Sequence, residues 1–147
     1  MASFDIKAGV NHTRGANQTL SGTTPNNSAL IDLQGWEGLN VWLHTATVTD
    51  AGTAAGFTAK IQHSDTTVGT SFVDCTDDEI IGSNLTVTSD DADNIIVGAI
   101  GYRGNKRYVR MVVTGTTGTD AVVYAVFERR RAALEPVTNV GSTTAAT

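Results

Sequence analysis

The stretch LNVWLHTATVT, residues 39–49, decides the fold class of this chain. Its side chains alternate along the backbone: the first set is Trp42, His44, Ala46 and Val48, and the second is Val41, Leu43, Thr45 and Thr47. A period of two residues is typical of a β-strand, in which successive side chains point to opposite faces. We therefore predict a long strand here, followed by a turn in the small-residue segment 50–56.

Similar segments lie on both sides of this strand, separated by turn residues. No segment of twelve residues keeps the 3.6-residue period of a helix. The sequence predicts an all-β fold, an antiparallel β-sandwich or barrel (jelly-roll-like) of about eight strands. Longer strands are predicted at 3–10, 39–49, 57–63, 95–102, 107–114 and 121–129, and short ones at 29–33, 71–76 and 84–89.

The segments 95–102 and 107–114 form the best hairpin pattern, because only four turn-forming residues separate them. In the second of these strands we expect Val109, Met111 and Val113 to face the core. Tyr108 and Arg110 then point the other way, together with Val112.

The length of 147 residues fits a single domain. We expect one β domain over 1–135, with a long loop or short edge hairpin at about 11–28, and a flexible C-terminal tail over 136–147. Threonine and glycine exceed a quarter of the chain, and a single cysteine excludes an internal disulfide. No signal-peptide pattern or membrane-length apolar run is found, so we expect a soluble protein without membrane contact.

The formal charge is −5, but the charges are unevenly placed. Seven acids and no bases lie between 74 and 93, whereas seven of the ten basic residues lie between 103 and 131. This asymmetry predicts complementary contacts between copies or with a partner, and two solvated loop regions are the simpler interpretation. The candidate interface residues are Arg103, Lys106, Arg107, Arg110, Arg129, Arg130 and Arg131. Arg107 and Arg110 are candidates for ion pairs with the 74–93 acids, inside the chain or between copies.

Catalytic and cofactor chemistry has little support in the sequence. His12, His44 and His63 have neither each other nor a cysteine at metal-ligand spacing, and Cys75 stands among acids that disfavour a thiolate. The acids at 90–93 lack the order of a calcium loop, and no nucleophile set forms. We predict no enzyme activity, cofactor or metal, and no nucleic-acid binding, because the charge is negative and stacking aromatics are few.

Two tryptophans leave a second interpretation open. Trp36 and Trp42 are more often core residues than sugar-stacking platforms. A carbohydrate-binding sandwich that uses Trp36, Trp42 and Tyr102 remains the alternative.

Three segments carry a resemblance to a known family. They read GWEGLNVWLHTATVTDAG (35–52), IQHSDTTVGTSFVDC (61–75) and IGYRGNKRYVRMVVT (100–114), and the likeness extends from Gly35 to Pro136. The chain resembles small proteins encoded beside the major capsid protein of tailed bacteriophages, which are often taken to be capsid decoration, or cement, proteins.

The resemblance implies a structural virion protein that binds the outside of the capsid and bridges capsomers. Its partners would be the major capsid protein and further copies of itself, as trimers or dimers. It would be made in the bacterial host cytoplasm and located on the capsid surface. The loop region and the tail would then be arms that reach neighbours. A head–tail connector or a tail component is the other virion role that the resemblance allows.

Overall fold

The computed structural model describes residues 10–132, with the side chains of residues 131 and 132 excepted. Nearly all regular structure in this range is β. The strands are β1 (Val10–Arg14), β2 (Gln18–Ser21), β3 (Asn26–Asn27), β4 (Ile31–Asp32), β5 (Trp36–Asp50), β6 (Phe57–Ser64), β7 (Val73–Asp74), β8 (Ile80–Ile81), β9 (Leu85–Val87), β10 (Ile96–Tyr102), β11 (Tyr108–Thr114) and β12 (Asp120–Ala132). The two helical turns described, Gly69–Ser71 and Asp77–Glu79, are 3-10 turns, and neither is long and apolar enough to cross a membrane.

The strands form two antiparallel sheets of six strands each. The first sheet has the order β1-β12-β5-β10-β8, with β2 also paired to β12. The second sheet has the order β3-β11-β6-β7, with β4 also paired to β11 and β9 to β6. The predicted all-β sandwich is confirmed, and no closed barrel forms within residues 10–132. The strand number exceeds the predicted eight because several strands are only two or three residues long.

The core lies between the two sheets and is built by the alternation along the long strands. Val109, Met111 and Val113 of β11 are buried, as predicted, and Phe127 of β12 is 1% exposed. Burying one such side chain contributes about 1.5–3 kcal/mol.

Strand β5 departs from strict alternation near its end. Thr45 and Thr47 pair with consecutive residues of β12, Val123 and Val122, so Ala46 is an extra residue in the ladder. A β-bulge of this kind shifts the faces of the following residues. Val48 is therefore buried with Val41 and Leu43, rather than sharing the outer face with Trp42 and His44 as the sequence suggested.

The predicted hairpin between 95–102 and 107–114 is wrong. Strand β10 pairs with β5 and β8 in the first sheet, whereas β11 pairs with β3, β4 and β6 in the second. The five residues between them, 103–107, form an arch from one sheet to the other. The hydroxyl of buried Tyr102 accepts a hydrogen bond from the main-chain N–H of Lys106 at 3.0 Å, which holds the arch over the core.

The predicted loop at 11–28 carries three strands instead. Strands β1 and β2 pair with β12, and β3 pairs with β11. Asn11 and Gln18 are buried in this region, and the Gln18 amide donates to the main-chain carbonyl of Asn26 at 2.9 Å. The apolar alternation that reveals a strand is missing because these strands are held mainly by ladder hydrogen bonds and polar contacts. The predicted strand residues 3–9 and the predicted tail lie outside the described residues.

Candidate functional site

An open groove of about 760 Å³ lies at one end of the sandwich. We call it the basic groove, because four of the predicted interface residues line it together with the carboxylates of Glu37 and Asp65. Its floor includes Trp36 and Asn40 of β5. The four basic residues are Arg103, Lys106, Arg107 and Arg130.

The arch between β10 and β11 supplies three of those four cations. Gly104 lies against the Tyr102 ring, where an added Cβ would stand 2.5 Å from the phenol oxygen and 2.6 Å from ring carbons. Glycine is therefore required for the arch to pass this close. Together with the Lys106–Tyr102 hydrogen bond, this contact fixes the positions at which the basic side chains leave the backbone.

Most cations of the groove have a partner within the chain. Lys106 lies 2.6 Å from Asp65, and Arg130 lies 2.6 Å from Glu128. Arg107 donates two hydrogen bonds to Asp32, at 2.9 and 2.8 Å. This hydrogen bonding by Arg107 is the main reason why the pKa of the Asp32 carboxyl is lowered. The pairs of Lys106 and Arg107 are exposed to solvent, so they contribute little to stability.

Arg103 differs from the other three groove cations. Its Nε donates to the main-chain carbonyl of Asp78 at 2.7 Å, and it makes no ion pair within residues 10–132. A carbonyl does not neutralise a guanidinium charge. Arg103 therefore brings to the groove a charge that no ion pair within residues 10–132 neutralises.

The remaining predicted interface residues lie elsewhere. Arg110 donates to the side-chain oxygen of Gln62 at 3.0 and 2.8 Å and lies over the ring of Phe72. Arg129 lies 4.8 Å from the Trp36 ring centroid and donates to Asn11 at 2.6 Å, and burial lowers its pKa. The side chain of Arg131 lies outside the described residues. The structure brings four of the seven together in the groove.

The predicted internal ion pairs of Arg107 and Arg110 with the 74–93 acids are not formed. Arg107 pairs with Asp32 and Arg110 with Gln62, as described above. The acidic stretch is also divided. Asp74 pairs with Lys60, whereas Asp90 and Asp93 accept main-chain N–H groups of Ala51 and Val48. These acids are distributed over both ends of the sandwich, so they do not form one surface.

A buried carboxylate lies beside the groove on the outer face of the first sheet. Glu128 is 7% exposed and accepts hydrogen bonds from His12 at 2.9 Å, Asn40 at 3.0 Å and Arg130 at 2.6 Å. Burial raises its pKa, but the donors Arg130, Asn40 and His12 outweigh that effect and lower the pKa to about 2. Glu128 thus links β1, β12 and β5 across the sheet.

The two tryptophans are half-buried and do not belong to the core. Trp36 lines the basic groove, and Trp42 lies on the outer face of the first sheet. On that face His44 stacks on Tyr124 at 5.0 Å, and the Arg14 guanidinium lies 3.8 Å above the Tyr124 ring. The expectation of core tryptophans is therefore wrong. The outer face of the central strands is aromatic and not purely polar.

A cluster of three potential ligands lies directly behind the groove. His63 is 3% exposed, its Nδ1 lies 2.9 Å from the Tyr102 hydroxyl, and its Nε2 lies 3.7 Å from a Glu79 carboxylate oxygen. Cys75 completes the cluster, since one ligand atom from each of the three residues lies within 4.8 Å of the others. Burial and the neighbouring acids Glu79 and Asp74 raise the pKa of the Cys75 thiol to about 12.

Strand register brings these three side chains together. Val73 of β7 pairs with His63 of β6, and the N–H of Cys75 donates to the carbonyl of Ile61 at 3.0 Å. The 3-10 turn that follows is closed by a capping box between Thr76 and Glu79. Sequence reasoning missed the cluster because it looked for short ligand spacings. The only available signal was the pairing of 57–63 with 71–76, which puts His63 near Cys75.

No protein-family model matches the sequence, and no curated protein is similar to it. One solved structure to which the chain is similar comes from the disulfide-linked pili of Bacillus endospore appendages. The two chains are 12% identical, the match covers 84% of this chain and 89% of the pilus chain, and the TM-score is 0.35. Similarity at this level assigns no function to the chain.

Proposed function

We propose that this chain is a structural virion protein that binds the outside of a tailed-phage capsid and stabilises it by bridging capsomers. One observation carries the proposal. The segment 100–114, which bears the resemblance to capsid decoration proteins, forms the arch that supplies Arg103, Lys106 and Arg107 to the basic groove. The residues that make the sequence recognisable thus include residues that line this groove.

The groove suits an acidic protein surface better than a small substrate. The groove is open, and its cations are complementary in charge to an acidic partner. Arg103 makes no ion pair within residues 10–132, so its guanidinium can pair with a carboxylate of the partner. A specific contact requires only about 800 Å² per partner, and capsid symmetry repeats it many times. On this proposal the partners are the major capsid protein and further copies of the chain, and the location is the virion surface.

The test is binding of the full chain to phage heads prepared without it. We expect co-sedimentation with the heads, density on their outer surface by cryo-microscopy, and greater resistance of the heads to heat. Arg103→Glu should weaken co-sedimentation about tenfold or more, because it reverses the unpaired charge. Arg14→Glu is the matched control, since Arg14 also donates to a main-chain carbonyl, makes no ion pair within residues 10–132 and does not line the groove. Heads that bind neither form would refute the proposal.

The half-buried tryptophans favour a second candidate, a carbohydrate-binding module. Trp36 lines the groove and Trp42 lies on the outer sheet face, so both rings offer partly accessible surface. Tyr102 does not fit this role, because it is 6% exposed and its hydroxyl bonds Lys106 and His63. Glycan-array binding that is lost in Trp36→Ala, together with no binding to heads, would favour this candidate. Density at the neck or tail would favour a connector or tail component instead.

A further inference from the structure

We propose that His63, Cys75 and Glu79 bind a divalent transition-metal ion of the zinc class. The three side chains offer an imidazole nitrogen, a thiol sulfur and a carboxylate oxygen, and these atoms lie within 4.8 Å of one another. They come from three separate places: strand β6, the residue after β7, and the 3-10 turn Asp77–Glu79. Fold topology, rather than a local motif, assembles the set.

The donor types select the metal. Nitrogen, sulfur and oxygen together suit Zn²⁺ and similar ions, whereas Mg²⁺ and Ca²⁺ prefer oxygen alone. Bond lengths of about 2.0 Å to nitrogen or oxygen and about 2.3 Å to sulfur place the tetrahedral nitrogen and oxygen about 3.3 Å apart and the sulfur about 3.5 Å from each of them. The His63–Glu79 contact of 3.7 Å is close to the first of these separations. Because the three ligand atoms lie within 4.8 Å of one another, binding requires the cluster to contract by about 1.3 Å at most.

Tyr102 supplies the outer contact that a metal-binding histidine requires. Its hydroxyl lies 2.9 Å from His63 Nδ1, and the ring planes meet nearly edge-on at 88°. A histidine that binds through Nε2 keeps its proton on Nδ1, and a hydrogen-bond acceptor there fixes the tautomer and the ring orientation. Tyr102 is held in place by the Lys106 N–H, so it acts as a positioning residue.

The charge balance of the site is also consistent with a divalent ion. On binding, the Cys75 S–H bond breaks, a sulfur–metal bond forms, and the proton is released to solvent without any change of oxidation state. The thiolate and the Glu79 carboxylate then offset the two positive charges of the ion. Three protein ligands leave one tetrahedral position for water.

Bound metal would brace the corner that supports the basic groove. The carbonyl of Glu79 accepts the N–H of Arg103 at 2.9 Å, and Tyr102 lines the groove. A metal ion would tie the 3-10 turn to β6 directly, whereas the capping box joins only Thr76 and Glu79 within the turn. Ions that bind only the folded chain raise its stability. We therefore expect the ion to raise the melting temperature of the chain.

The test is titration of the full, untagged chain with Co²⁺ under reducing conditions. We expect one ion per chain and a sulfur-to-cobalt charge-transfer band, which Zn²⁺ abolishes by competition. The band should be lost in Cys75→Ser, and His44→Gln should retain it, since His44 stacks on Tyr124 outside the cluster. Absence of the band from the folded wild-type chain would overturn the proposal.

Two further variants keep the test independent of folding defects. Tyr102→Phe should weaken Co²⁺ binding about 10–100-fold while leaving the band position unchanged. Glu79→Gln should weaken binding more strongly, because it removes a ligand charge. Equal Co²⁺ affinity in wild type and Glu79→Gln, or a Zn²⁺-induced rise in melting temperature that persists in Cys75→Ser, would show that the ion binds elsewhere and would refute the site.

Discussion

The centre of the first sheet and the corner at Tyr102 are built by different means. At the centre, β5 and β12 run side by side over 15 and 13 residues, and their inward side chains form a continuous apolar layer. At the corner, two- and three-residue elements are held by individual hydrogen bonds and ion pairs. The basic groove and the ligand cluster both lie at this corner. Regular pairing provides stability, and on the functions proposed above the irregular corner provides the chemistry that would recognise a partner or an ion.

Removal of a large side chain at the centre should have the largest effect on stability. Phe127→Ala should cost about 3–5 kcal/mol of unfolding free energy, because it leaves a cavity in a fully buried layer. Val73→Ala on β7 should change stability by less than about 0.5 kcal/mol, since Val73 is exposed. Urea denaturation of both variants measures the difference. Similar losses would show that the centre does not dominate stability.

The central strands were predictable because their alternation is long. Residues 121–129 were predicted as a strand, and β12 spans Asp120–Ala132. Residues 57–63 likewise correspond to β6, Phe57–Ser64. In these strands the period of two persists for seven residues or more, so a single polar substitution or bulge does not hide it.

The corner was not predictable from local pattern. The five residues between β10 and β11 fit either a hairpin or an arch. The hydrogen bond between Tyr102 and His63 of the other sheet, which favours the arch, joins residues far apart in the sequence. His63 and Cys75 come together because β6 pairs with β7. No short sequence motif indicates this pairing. Polar strands such as β1 lack an apolar period. Their partners are known only from the complete sheet.

A second prediction concerns the hydrogen bonds of Glu128, which connect three strands of the first sheet. Glu128→Gln should lower the unfolding free energy by about 2–3 kcal/mol at pH 7, because it removes a buried charge with three donors. The folded pKa of Glu128 is about 2, below the usual 4.5, so its contribution is fully present above about pH 5 and is lost as the pH falls towards 2. Denaturation between pH 7 and pH 2.5 measures the slope.

The control for this prediction is Asp120→Asn at the exposed start of the same strand. It removes one carboxylate without disturbing a buried network, so the acid dependence of stability should follow the wild type. A Glu128→Gln variant with the same acid slope as wild type would show that the Glu128 network does not stabilise the sheet.

A third prediction tests the packing of the arch itself. Gly104→Ala should cost about 1–3 kcal/mol, because the new methyl group would overlap the Tyr102 ring. Gly69→Ala is the matched control, since its nearest neighbour would be a flexible Arg110 atom at 4.0 Å. Thermal melting of both variants measures the effect. Equal melting temperatures would mean that the arch moves freely away from Tyr102.

The last prediction concerns a substitution, Arg107→Ala, that should change stability least but should still weaken binding to phage heads. Arg107→Ala removes the exposed ion pair with Asp32, so it should leave the urea midpoint of unfolding nearly unchanged. If the corner is the recognition surface, the same variant should still weaken binding to phage heads about tenfold, because a groove cation is lost. Co-sedimentation measured beside urea denaturation distinguishes the two. Unchanged head binding would remove Arg107 from the recognition surface, whereas a large loss of stability would mean that the corner also supports the fold.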